Sequence, residues 1–156
     1  MKLLNRLHFL FFRVYRRLNF YFCKSQLIYS PSYGKKLEIH GAFEVIHPEN
    51  FTYGDFLSIN GGVYINAGAM ITLGDNVSLS AKCMLITKGL LPDSMNEHFS
   101  EAITIGSNVQ IGAGAIILPG VNIVDGVLIG AGSVVAKDIE VPGIYVGAPA
   151  KRISCL

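Results

Sequence analysis

An aliphatic residue returns at every sixth position of IGSNVQIGAGAIILPGVNIVDGVLIGAGSVVAKDI, residues 105–139: Ile105, Ile111, Ile117, Ile123, Ile129 and Val135. A helix repeats at about 3.6 residues and would drift off a strict six, and a lone strand alternates by two over only a few residues. The period fits a solenoid in which each hexad builds one flat side, a short strand followed by a corner, and three sides close a triangular turn. Gly106, Gly112, Gly120, Gly126 and Gly130, with Asn108, Asn122 and Asp125, supply the corner chemistry, because these residue types reach tight-turn and left-handed backbone at low cost. A second inward position, four after each aliphatic, reads Val109, Ala115, Val121, Val127, Ser133 and Ile139. Such slender side chains suit layers stacked in a narrow prism.

The pattern extends upstream through Ile59, Ile65, Leu73, Leu79 and Leu85, followed at four by Val63, Ala69, Val77 and Cys83. It is not uniform: eight residues, not six, separate Ile65 from Leu73. Internal repeats of fixed short period signal a parallel β-helix. The repeat region is predicted to span 53–153, and residues 25–52 to form a transition and first irregular coil, with Leu37–Ile39 and Phe43–Val45 as short strands. One interruption, KGLLPDSMNEHFSEA, occupies 88–102.

That interruption is the most informative functional feature of the sequence. A loop of this length leaving a regular scaffold is uncommon without a function, and it contains His98, the only histidine of the repeat region. With an unperturbed pKa of about 6.5, an imidazole accepts a proton from a hydroxyl near neutral pH. Asp93, Glu97 and Glu101 are the neighbouring carboxylates that could orient it.

Charge is divided along the chain. Residues 1–36 hold eight Lys or Arg and no acid, although the formal net charge is only +2. Residues 1–24 read as a basic amphipathic helix, with Leu3, Leu7, Leu10, Phe11, Val14, Leu18 and Phe22 along one side and Lys2, Arg6, Arg13 and Arg17 along another. Its bases interrupt every apolar run well short of the roughly 20 residues a membrane crossing needs. Two uses are open and compatible: a cap over the end of the solenoid, and peripheral contact with an anionic membrane face. The bases are not continued on the repeat region, which argues against nucleic acid. Cys23, Cys83 and Cys155 are odd in number and widely spaced, which gives neither a disulfide framework nor a zinc pattern and favours a cytoplasmic setting.

The hexads and the closing VGAPAKRI, together covering residues 53–153, resemble the left-handed β-helix acyltransferases, in particular the maltose, galactoside and nodulation-factor O-acetyltransferases and the capsule and O-antigen O-acetyltransferases. The resemblance implies an all-β, left-handed parallel β-helix that forms a homotrimer with active sites between subunits. It implies acetyl-CoA as donor, no metal, and a sugar or polysaccharide as acceptor. His98 is then the general base, and Asn66 in YINAGA resembles the Asn that faces it across the cleft. Ala113, Ala131, Ala136 and Lys137 resemble the positions along which the CoA arm lies, and Lys137, Lys151 and Arg152 are basic enough for its nucleotide end. The sequence departs from the maltose type in two places. No His stands among the few residues after Thr87, Lys88 to Leu91, the arrangement NEHFSEAITIG resembling the capsule and O-antigen relatives instead, and Ser154 replaces a terminal base. The expected function is O-acetylation of a cell-surface polysaccharide at the inner face of the cell membrane. A soluble acceptor, such as a nucleotide-activated amino sugar or serine, and a noncatalytic β-helical scaffold stand as alternatives. A carbonic anhydrase of the same fold would need three His ligands, and only His98 is available.

Overall fold

The computed structural model describes residues 2–31, 34–91 and 93–155, without the side chains of residues 2–9, 16, 19, 20 and 95. From Leu37 onward the chain winds as a parallel β-helix whose strands stack into three sheets, one per face of a prism. The first face has seven strands, among them Leu37–Ile39, Leu57–Ile59, Ser78–Leu79, Gln110–Ile111 and Val127–Ile129. The second face has five: Glu44–Ile46, Tyr64–Asn66, Met84–Ile86, Ile116–Ile117 and Val134–Val135. The third has four: Phe51–Tyr53, Ile71–Leu73, Ile103–Ile105 and Asn122–Ile123.

The register explains the irregular spacing. Neighbouring coils in the later part are offset by 18 residues, three hexads, as at Ser107 and Asp125. The early coils are offset by 20, as at Asp55 and Asp75, and the pair bridging the interruption by 32, as at Asp75 and Ser107. Every hexad aliphatic predicted to point inward is buried, and so are all the slender partners but one. Ala69 is half-exposed, and Ala67 takes its place at 0% exposure. The two extra residues of this coil sit at the corner after Ile65, where in–out alternation continues for one further step before the chain turns.

Corners are held by side-chain ladders and by backbone closeness. Asp75 Oδ1 accepts from Asp55 N at 2.7 Å and Asp125 Oδ1 from Ser107 N at 2.7 Å. Asn76 and Asn108 both adopt positive φ there, which Asn tolerates better than bulkier residues. Gly106 has a different reason: a Cβ on it would stand 2.7 Å from Asp125 N in the next coil.

The open amino-terminal end is covered by the end of helix α1 (Lys2–Gln26) and the turn that follows. The Gln26 amide brackets the outermost strand of the second face, accepting from Val45 N at 2.9 Å and donating to Phe43 O at 3.0 Å. Cys23, Leu27 and Ser30 are buried beside it. This pairing blunts an edge that would otherwise present unpaired backbone groups. The preceding turns are uncovered: Leu10, Phe11, Val14, Leu18 and Phe22 are all exposed. The side chains of Lys2, Leu3, Arg6 and Leu7 lie outside the described residues. Among the described residues, no helix is long and apolar enough to cross a membrane.

The three outer surfaces differ in chemistry. The third face shows a row of Thr52, Thr72, Thr104 and Asn122. The first shows Glu38, Ser58, Ser78 and Gln110. The second shows Tyr64, Met84, Ile116 and Val134 in register, with Met84 37% exposed.

Candidate active site

Residues 88–102 leave the prism at the corner between the second and third faces and form an antiparallel hairpin of Lys88–Leu91 and Ser94–Ser100. His98 pairs with Leu90, Phe99 with Gly89 and Ser100 with Lys88. Strand alternation therefore puts His98 and Ser100 on one side of the hairpin and Phe99 on the other. His98 and Ser100 are exposed. None of Asp93, Glu97 or Glu101 is hydrogen-bonded to His98, and Glu101 instead reaches over Gly120 in the following coil.

The hairpin is rooted by Thr87, which is fully buried. Its Oγ1 donates to Asn66 O at 2.7 Å and accepts from Ala69 N at 3.0 Å. Its carbonyl accepts from Glu101 N at 2.8 Å. One residue thus ties the start of the hairpin, its return and the Asn66 corner together. Hexad reading finds only the Thr, not this role, because its partners come from a coil 21 residues earlier and from the far side of the insertion.

Asn66 lies at this same corner. Its side-chain amide makes no hydrogen bond and is half-buried. The other coil asparagines spend theirs on structure: Asn50 on Ala67 O, Asn60 on Leu79 O, Asn76 on Asn108, and Asn122 on Gly120 O and Asp138. An amide left free where its counterparts are engaged is available to a ligand.

The predicted donor positions divide between corners. Ala113 and Ala131 are exposed and stacked at the corner between the first and second faces, where Gly132 N donates to Ala113 O at 2.8 Å. A Cβ at Gly114 or Gly132 would meet nothing within 4 Å, so this ridge is open to a close-lying chain. Ala136 and Lys137 are exposed at the His98 corner. Lys151 and Arg152 are exposed on the terminal strand Lys151–Ser154, where Arg152 Nε and Nη2 donate to Pro142 O at 3.2 and 3.0 Å. A single protomer therefore brings His98 and Asn66 to one corner and leaves Ala113 and Ala131 at another, across the width of the apolar second face.

A three-faced prism of stacked hexads with one decorated corner is the architecture of the hexapeptide transferases. Residues 102–137 match the family described as Bacterial transferase hexapeptide (six repeats). A maltose O-acetyltransferase from Clostridium difficile 630 is 32% identical, with a TM-score of 0.78 over 85% of this chain and 72% of its own. The chain belongs to the hexapeptide-repeat acetyltransferase family, and the all-β parallel β-helix expected from the repeats is its fold. The galactoside O-acetyltransferase of Escherichia coli (strain K12) is 37% identical over 116 residues, 68% of this chain and 57% of its own. A hexapeptide-repeat acetyltransferase from Vibrio cholerae, solved with acetyl coenzyme A, is 26% identical with a TM-score of 0.78, over 84% of this chain and 74% of its own. The chain spans about half the length of the curated relatives it matches, 43% and 57% for two of them.

Proposed function

We propose that the protein is an acetyl-CoA-dependent O-acetyltransferase acting on a sugar hydroxyl, with His98 as general base. The observation that carries this reading is the convergence of the His98 hairpin and the unspent Asn66 amide on one corner of a family scaffold. In the reaction the acceptor hydroxyl oxygen attacks the thioester carbonyl while its proton passes to His98. The tetrahedral intermediate collapses with loss of the CoA thiolate, which takes that proton back. Asn66 holds the acceptor, and the open ridge at Ala113 and Ala131 lets the pantetheine arm approach backbone amides that stabilise the oxyanion. Lys137, Lys151 and Arg152 supply positive charge for the nucleotide phosphates.

A threefold assembly completes the site. Three protomers with their apolar second faces inward set the Ala113 ridge of one against the His98 corner of the next. The distance that separates donor and acceptor groups within one chain is thereby closed between chains. In this reading the exposed stretch of α1, with Arg13 and Arg17 among its apolar residues, lies against an anionic membrane face, and the acceptor is a lipid-linked precursor of cell-surface polysaccharide.

The test is His98→Ala assayed with acetyl-CoA and candidate sugars. The substitution lowers kcat by about a hundredfold to ten-thousandfold and leaves CoA affinity unchanged. Full activity in this variant would remove the named base.

A further inference from the structure

At the corner between the third and first faces, successive coils place Phe56, Asn76, Asn108 and Gly126 in one column. Asn76 N donates to Asp55 O, Asn108 N to Asp75 O and Gly126 N to Ser107 O. All four residues hold positive φ, at 60°, 55°, 56° and 67°. Asn and Gly reach that region readily, whereas a bulky side chain such as Phe is strained there. Packing does not repay the strain, because Phe56 is 56% exposed and takes no part in the core. The Lys36 ammonium lies 5.5 Å from the ring centroid, a weak contact at an exposed site. A ring held at a cost and left facing solvent points to use in binding.

Phe56 lines a surface cleft of about 210 Å³ together with Lys36, Glu38, Ser58, Asn76 and Ser78. Sites for drug-sized ligands run to roughly 300–1,000 Å³, so the cleft suits one pyranose ring at a time. Glu38 pairs with Lys36 at 3.1 Å, and Ser58 and Ser78 stand in register one strand apart, about 4.8 Å. The same outward row continues to Gln110, so a chain, and not only a single ring, can lie along the prism axis. We propose that this cleft is a second site, separate from the His98 corner, that holds a neutral glycan chain. One pyranose stacks its C–H face on Phe56, and its hydroxyls bond Ser58, Ser78 and the Lys36–Glu38 pair. A sugar ring has an apolar face and a polar edge, and an exposed aromatic beside hydroxyls and a charge pair matches both. The corner lies opposite the apolar second face, so it stays exposed in the proposed trimer. Three copies there would grip one long chain more tightly than a single site could.

The experiment runs the full chain, without acetyl-CoA, in native gels cast with soluble galactan or with dextran, so the result does not depend on acetyl transfer. At least one of these glycans retards the unchanged protein. Phe56→Asn, which installs the residue of the next two coils, weakens that binding about tenfold and raises the melting temperature, because the backbone strain is relieved. Phe56→Tyr keeps the binding, and His98→Ala binds as the unchanged protein does. Ser58→Ala weakens binding with no change in melting. Free migration of the unchanged protein in both gels would overturn the site and leave the acetyltransferase reading standing. A lower melting temperature in Phe56→Asn would also overturn it, since the ring would then be structural. So would loss of sedimentation with phosphatidylserine vesicles in Phe56→Asn while glycan retardation persists, which would give the ring to a membrane.

Discussion

Thr87 and Cys83 show how one residue's surroundings set its behaviour. Thr87→Val keeps the shape and deletes the hydroxyl, so Asn66 O loses one donor and the half-buried Ala69 N loses its acceptor. The expected cost is about 1–3 kcal/mol, read as a lower urea midpoint, and Thr87→Ser restores most of it. Cys83 is buried in the prism, and that burial pushes its thiol up to about 12 from an ordinary 9.0. Deprotonation of Cys83 is therefore favoured in the unfolded chain between those values. The stability associated with its neutral form is present below pH 9 and is lost as pH rises toward 12. At pH 8 a thiol reagent should label exposed Cys155 rapidly, while buried Cys23 and Cys83 react only after denaturant is added.

Among the elements, α1 divides into two parts with separate tests. Its last turn covers the solenoid edge through Gln26, and its earlier exposed turns carry the proposed membrane contact. Removing residues 1–22 should leave the melting temperature nearly unchanged and abolish sedimentation with vesicles rich in phosphatidylserine. Removing residues 1–30 should lower the melting temperature as well, since Val45 N loses its acceptor and Leu27 no longer covers the first coil. Equal stability of the two truncations would refute the cap. Within the coils, Ile117→Asp places a carboxylate at a site of 0% exposure, a loss of several kcal/mol visible as insoluble expression.

For the whole molecule, the apolar second face is the feature a lone protomer cannot explain. Ile116→Glu adds a charge to an outward position midway along the Tyr64, Met84, Ile116 and Val134 row. The expected result in sedimentation velocity is a folded monomer, against the trimer proposed for the unchanged protein. Activity should fall with assembly if the Ala113 ridge and the His98 corner meet only between chains. A monomer that retains full activity would place the donor elsewhere on the prism.

The period of six by itself determined the inward residues and the three-sided coil, because a narrow stacked interior admits only aliphatic or slender side chains at fixed intervals. The unusual length of residues 88–102 and the single His98 within them marked the same corner. Ala67 replacing Ala69 shows the limit of a fixed period: two added residues shift the phase, and local backbone alternation decides which one turns inward. The end of α1 as a cap and Thr87 as the hairpin root were decided only by tertiary structure. Their partners lie far off in sequence, 17 and 19 residues from Gln26 and 21 and 18 from Thr87. Chain winding creates that proximity, and no hexad read by itself contains it.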